Sequence, residues 1–193
     1  MTAMLNWIVF FDLGLGNGLR NRLAQALARG DRQQGHIVIS TGYLAIGSIS
    51  LFAFLALSSI LPLVRWQAVF NTTAAGEKEL RLAILTIGFF ICVNFLLSLV
   101  RNVLNAAQIT SLTVLNQVQV NFLALCFVWL SQRLLAPNLA WLALAYGSAL
   151  ALAALTLNLW YFRRNPDLAP SLRGFRKTEV RGLTGLGFRF FII

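Results

Sequence analysis

The chain has 193 residues, of which 58% are hydrophobic and only 11% are charged. A soluble globular domain of ordinary composition carries about 25% charged residues, so this composition excludes that class. The net charge of +10 does not indicate a nucleic-acid partner. Its Lys and Arg residues lie in the connections between apolar segments, where the orientation of a membrane protein places them.

The two ends of the sequence are apolar but short. Residues 1–11 run into Asp12 without the basic start or small-residue cleavage site of a signal peptide, and a second apolar segment begins near Gly185 and stops at Ile193. Neither segment is long enough to span a bilayer alone. We expect this sequence to be a fragment, and both segments to belong to transmembrane helices that the ends of the fragment truncate.

The polar stretch after the first segment divides into a glycine-rich turn and a basic helix. Apolar residues recur at helical spacing over about 19–29, whereas most arginines lie off that face. This pattern predicts an amphipathic helix at a membrane surface. The turn itself, with Gly14, Gly16 and Gly18, does not predict a nucleotide site, because no strand precedes it and no Gly-Lys-Ser/Thr follows.

Four stretches contain no Asp, Glu, Lys or Arg, and each is close to or longer than the roughly 20 residues that a spanning helix needs. They are 37–64, 82–100, 102–132 and 134–162. Leu and Ala dominate them and the alternation of a membrane barrel is missing. The sequence therefore predicts an all-α, polytopic transmembrane bundle with spans at about 37–64, 82–107, 111–132 and 138–162.

Charge asymmetry predicts the orientation. Most Lys and Arg residues lie in 13–36, in the connection at Arg101 and in 163–181, whereas the alternate connections hold only Arg65, Lys78, Arg81 and Arg133. The positive-inside rule therefore places 13–36, the connection at Arg101 and 163–181 in the cytoplasm. We expect a multi-pass protein of a bacterial inner membrane. We also expect 163–184 to form a basic cytoplasmic linker between helical bundles and 185–193 to begin the next helix.

Catalytic and metal-binding groups are not predicted. The sole histidine, His36, stands beside a basic connection, and Glu77 and Glu79 lie in a short loop without evident partners. No nucleophile, base and orienting group can be assembled from these residues. We expect neither an enzyme nor a metal or organic cofactor.

Polar residues recur inside the predicted spans. One set keeps to a single helical face at intervals of three and four residues: Asn94, Ser98, Arg101, Asn105 and Gln108. The next predicted span also contains polar residues, namely Asn116, Gln117, Gln119 and Asn121, of which Gln117 and Asn121 share a face. Such residues either line a water-filled substrate path or join helices by hydrogen bonds, and Arg101 near a span's end also fits a membrane anchor.

The stretch 10–31 combines a glycine-rich turn with the start of a basic helix, through Asp12, Leu13, Gly14, Gly18, Leu19 and Arg20. In this motif the chain resembles the polysaccharide biosynthesis transporters. These are the O-antigen flippase-like branch of the multidrug/oligosaccharidyl-lipid/polysaccharide exporter superfamily. The start of a seventh helix is matched by Gly185, Gly187, Phe188 and Phe190.

The resemblance implies a two-lobe transporter of roughly twelve helices, of which this chain holds the end of helix two to the start of helix seven. Residues 1–162 are then a partial N-terminal lobe. It implies alternating access, in which a polyprenyl-pyrophosphate-linked oligosaccharide is flipped across the bilayer. Asp12, Gly14, Gly18 and Arg20 are then candidates for a cytoplasmic gate. Other polysaccharide-assembly proteins are the expected protein partners.

Two other functions stay open. A multidrug or cation antiporter of the same superfamily needs an acidic residue within the membrane, and Asp12 near the inner edge is the nearest candidate. A membrane-embedded glycosyl polymerase or ligase needs a larger outer loop with catalytic charges than the short connections here provide.

Overall fold

The structure is a computed structural model that describes residues 15–71, 76–134 and 138–180. Within these ranges the chain is helical and contains no strand. The helices are α1 (Leu15–Ala28), α2 (Arg32–Ile60), α3 (Trp66–Val69), α4 (Glu77–Leu97), α5 (Leu99–Ala106), α6 (Thr110–Leu134) and α7 (Leu139–Arg164), with short 3-10 turns at Leu61–Leu63, Pro166–Leu168 and Leu172–Gly174. The predicted all-α class is confirmed for these residues.

Four helical segments are long and apolar enough to cross a membrane. They are Arg32–Leu63, Glu77–Ala106, Thr110–Arg133 and Leu139–Arg164. Their surfaces leave large apolar side chains open, such as Phe52 at 75% and Leu125 at 72% exposure. Water disfavours so much uncovered apolar surface, whereas lipid chains accept it. The fold therefore has the character of a multi-pass membrane protein, and the twelve-helix architecture stays a prediction.

The described residues fall into two compact units. The first unit comprises 15–47, Ser98–Thr113 and 158–180; the second comprises Ser48–Leu97 and Val114–Leu157. In the first unit, α1 packs against α5. The side chains of Leu19 and Leu23 on α1 and of Val103 and Leu104 on α5 are completely buried. Burial of a side chain of this size stabilises a fold by roughly 1.5–3 kcal/mol when the alternative is exposure to water. The gain is smaller where the side chain would otherwise face lipid.

A glycine ends α1 in the first unit. Gly30 adopts a positive φ of 72°, its N–H donates to the Leu27 carbonyl, and the Asp31 N–H donates to the Ala26 carbonyl, both at 3.0 Å. This pair of bonds is a Schellman motif, which satisfies carbonyls at the helix end and favours glycine at the left-handed position. The helix predicted at about 19–29 is thus observed four residues longer at its start.

The second unit brings helices together at glycines. A Cβ atom added to Gly88 would overlap the side chain of Leu57, and one added to Gly147 would overlap the ring of Phe90. Small residues at such points let helix backbones approach closely, which is how helices in membranes gain dispersion contacts.

Candidate functional site

The polar face predicted along the second span is interrupted in the structure. Regular α-helix stops at Leu97 and resumes at Leu99, so Ser98 separates α4 from α5, and the second helix ends at Ala106. The N–H of Arg101 donates to the Ser98 carbonyl over 3.0 Å, the tighter bonding of a 3-10 turn. The predicted helix therefore runs through Asn94, Ser98, Arg101 and Asn105 with a one-residue irregularity at Ser98, whose backbone is still helical at φ −67° and ψ −15°. It ends at Ala106, before Gln108.

Gln108 lies outside the helix and closes its end. Its φ is 61°, its N–H donates to the Asn105 carbonyl over 3.2 Å, and the N–H of Ile109 reaches the Leu104 carbonyl over 2.9 Å. These bonds repeat the Schellman pattern with a glutamine at the position that favours glycine. The placement of Gln108 on the polar helical face is corrected: the residue shapes a turn.

Arg101 lies on the accessible side of α5. The opposite side of the helix is buried against α1, through Leu99, Val100, Val103 and Leu104. The Arg101 side chain is exposed, and Asn105 beside it is half-buried. No carboxylate in the described ranges lies within ion-pair distance of this guanidinium. The arginine is about 8 Å from the end of its helix, judged from five residues at 1.5 Å each, and it is available to an anion.

Asn94, at the other end of the predicted face, belongs to the second unit and binds its own helix. Its Nδ2 donates to the Phe90 carbonyl over 2.9 Å. A side chain that bonds the preceding turn in this way keeps its polar group close to the backbone. The Asn94 amide is therefore engaged within the second unit.

The polar residues of α6 fall into two groups, one bonded to α7 and one exposed. Asn116 is buried, and its Nδ2 donates to the Ala153 carbonyl of α7 over 2.8 Å. Gln119 donates to the Thr156 hydroxyl over 3.0 Å. These two bonds join helices. Gln117 and Asn121 are exposed and bond each other over 3.3 Å, so they share a face, as their spacing indicates, and offer amide groups away from the α7 contacts.

The motif residues of the glycine-rich turn lie only partly within the described structure. Asp12 and Gly14 fall outside the described residues. Gly18 is buried in α1 and Arg20 is exposed. A gate role for these residues stays a prediction.

The basic stretch after α7 packs onto α2 within the first unit, which the sequence did not predict. The N–H of Ser171 donates to the Ser40 hydroxyl over 3.0 Å, and the N–H of Arg176 donates to the Thr41 hydroxyl over 3.2 Å. Both hydroxyl residues are fully buried. His36 Nε2 lies 3.0 Å from the Ser171 hydroxyl, so the sole histidine takes part in this docking.

Ion pairs hold the two acidic residues of the same stretch. Asp167 pairs with Arg32 and Glu179 pairs with Arg22. The hydrogen bond from Arg32 lowers the pKa of Asp167 below its usual range. Because both carboxylates pair with arginines of α1 and α2, neither of them compensates the basic side chains of the stretch itself, and those side chains form no ion pair within the described ranges.

Glutamates in the second unit cap helices. Glu77 accepts hydrogen bonds from the N–H groups of Trp66 and Gln67 at 3.0 and 3.1 Å, and from Arg81 at 3.1 Å. Glu79 accepts the N–H of Leu139 over 3.0 Å. The expectation that these carboxylates lack partners is wrong, because each binds the positive end of a helix.

An open depression of about 410 Å³ borders Arg65, Gln67 and Glu77.

Comparison of the chain with protein-family models, with curated proteins and with solved structures found no match. Within the described residues, no three side chains of His, Cys, Asp or Glu come together as a metal site would require.

Proposed function

We propose that the protein moves lipid-linked oligosaccharides across a bacterial inner membrane by alternating access. The observation that supports this proposal most is the state of Arg101. Its guanidinium is exposed, forms no ion pair among the described residues, and lies within a segment able to cross a membrane. Ionisable residues within spans are costly and normally serve a path or a bound ion. The pyrophosphate of a lipid-linked sugar is an anion that arginine's planar fork binds through two parallel hydrogen bonds.

The exposed amides of α6 support a sugar substrate. Gln117 and Asn121 each carry a donor and an acceptor, which match the hydroxyl groups of a carbohydrate. Their mutual hydrogen bond over 3.3 Å is long enough to be exchanged for bonds to a ligand at low cost. In this proposal the sugar passes through a hydrophilic path and the polyprenyl tail stays in lipid.

A multidrug or cation antiporter is less favoured because proton or cation coupling within the membrane needs a carboxylate. The sequence contains no Asp or Glu between Asp31 and Glu77, nor between Glu79 and Asp167. The four span-capable segments therefore hold no acidic residue in their interiors.

A membrane-embedded glycosyl polymerase or ligase is less favoured because the two glutamates at the start of α4 are already engaged. Glu77 and Glu79 bind helix N-termini, and a catalytic carboxylate must instead face a substrate.

Complementation tests the proposal. The intact protein is expressed in a strain that lacks its own transporter for lipid-linked oligosaccharides, and surface polysaccharide and drug resistance are both measured. We expect polysaccharide export to return without a change in drug resistance. Drug resistance without export would establish the antiporter instead.

A further inference from the structure

The segment Ser171–Lys177, which we call the docked loop, combines exposed apolar and basic side chains. Leu172 is 80% exposed and Phe175 is 37% exposed. Arg173, Arg176 and Lys177 between and after them are exposed as well. An apolar pair interleaved with cations is typical of a segment that lies in a membrane interface, with its apolar side chains in lipid and its cations on headgroups.

The charge of the docked loop has no ion-pair partner among the described residues. The two nearby carboxylates, Asp167 and Glu179, are held by Arg32 and Arg22. None of the three basic side chains of the loop forms an ion pair with the described residues. The basic side chains of the docked loop are therefore free to bind an anion that does not belong to the described residues.

The anchoring of the docked loop sets its depth. It is bound to Ser40 and Thr41 through main-chain N–H groups, and Ser40 lies four residues, or about 6 Å, inside the uncharged part of α2 that follows His36. One turn further along α2, the Tyr43 hydroxyl donates to Asn158 of α7 over 2.7 Å.

The end of α7 carries a residue pair that is typical of a membrane surface. There, the Arg164 guanidinium lies 4.5 Å from the ring centre of Trp160, and Trp beside Arg is characteristic of the headgroup region. Both helices therefore leave their apolar stretches where the loop is docked, which places Leu172 at the boundary between headgroups and acyl chains.

We propose that the docked loop binds anionic phospholipids of the leaflet at this end of the helices. Leu172 and Phe175 enter the acyl boundary while Arg173, Arg176 and Lys177 bind headgroup phosphates. Each basic side chain near an anionic leaflet contributes roughly fivefold in affinity, so the three produce a clear preference over neutral lipid. The proposal is independent of what the protein transports.

A fluorescent probe at position 172 tests the binding. The intact protein, with Cys92→Ala and Cys126→Ala, carries Leu172→Cys labelled with an environment-sensitive dye and is placed in nanodiscs. Nitroxide is attached near the headgroup of either phosphatidylglycerol or phosphatidylcholine. We expect several-fold stronger quenching by the anionic lipid, and no such difference between the two lipids for the same dye at Ala68→Cys, an exposed position in the second unit.

Variants that remove charge show whether the docked loop recognises anionic lipid or only lies close to the bilayer. Replacing Arg173, Arg176 and Lys177 by Gln is expected to remove the preference. Neutralising three exposed residues of the second unit, by Arg65→Gln, Lys78→Gln and Arg133→Gln, is expected to keep it. Equal quenching by both lipids would overturn the proposal. So would a dye shielded from lipid and from aqueous iodide alike, since a protein would then cover the loop.

Discussion

The N–H of Ser171 donates a 3.0 Å hydrogen bond to the hydroxyl of Ser40, a residue 131 positions earlier in the chain. Because Ser40 is fully buried, this bond satisfies a polar group that would otherwise cost about 1–3 kcal/mol. Together with the bond from the Arg176 N–H to the Thr41 hydroxyl, it holds the basic stretch against α2 within the first unit.

Gly174→Ala is expected to loosen this contact. A Cβ at position 174 would lie 2.5 Å from the Ser40 hydroxyl oxygen and 2.8 Å from His36 Nε2, so the loop must shift, at a typical cost of about 1–3 kcal/mol. Faster amide hydrogen exchange at Ser171 and Arg176 measures the change. Gly76→Ala is the matched control, because a Cβ there meets no atom within 4 Å. Unchanged exchange in Gly174→Ala would contradict the docking.

Asn116→Leu is expected to destabilise the α6–α7 pair. The substitution removes the 2.8 Å bond to the Ala153 carbonyl, and interhelical bonds of this kind contribute about 0.6–2 kcal/mol in membranes. Thermal unfolding in detergent measures the loss, with Gln117→Leu at the exposed neighbouring position as the control. If Asn116→Leu abolished transport at unchanged stability, Asn116 would line the substrate path instead.

Gln108→Gly is expected to stabilise the protein. Gln108 holds a φ of 61°, a conformation that costs a residue with a side chain about 1 kcal/mol or more, and glycine adopts it freely. Gly30→Gln, at the equivalent position after α1, is expected to destabilise by a similar amount. Thermal unfolding checks both changes. Loss of transport in a stable Gln108→Gly variant would show that the amide itself is needed.

Acid is expected to weaken the pairing of Asp167 with Arg32. The pKa of Asp167 is lowered in the folded chain, so the pair contributes its stability above the unfolded pKa of about 3.9. That contribution is lost as pH falls through the lower folded value. Since Asp167 is 40% exposed, the effect is only about 0.2–1 kcal/mol.

Titration of the wild type and Asp167→Asn tests this assignment. Unfolding followed from pH 6 to pH 3, a range chosen to bracket about 3.9, should show a stability difference near neutral pH that shrinks in acid. A constant difference across the range would assign the effect of the substitution to something other than the ion pair.

The helices could be predicted because their signal is local. Uncharged stretches of sufficient length indicate spans directly, and the i, i+4 spacing placed Gln117 and Asn121 on one face. The interruption at Ser98 has no such signal, since neither Gly nor Pro marks it. Gln108 likewise occupies a conformation for which its residue type gives no warning.

The contacts between distant segments could not be predicted from residue types. Ser40 and Thr41 accept bonds from main-chain N–H groups, which every residue except proline carries. Glu77 caps a helix that begins eleven positions earlier. Such bonds depend on where the chain returns in space, and one sequence does not encode that location in a readable pattern.

Translocation in reconstituted vesicles tests the central claim most directly. The intact protein is placed in liposomes with a polyprenyl-pyrophosphate-linked oligosaccharide, and an impermeant lectin reports the sugar that reaches the outer leaflet. Loss of a charge-assisted bond of about 1.5–3 kcal/mol lowers affinity by roughly ten- to a hundredfold. The account predicts rapid translocation by the wild type, most of it lost in Arg101→Ala, partly kept in Arg101→Lys and unchanged in Arg133→Gln. Equal rates in wild type and Arg101→Ala at matched protein amounts, or no rate above protein-free liposomes, would contradict it.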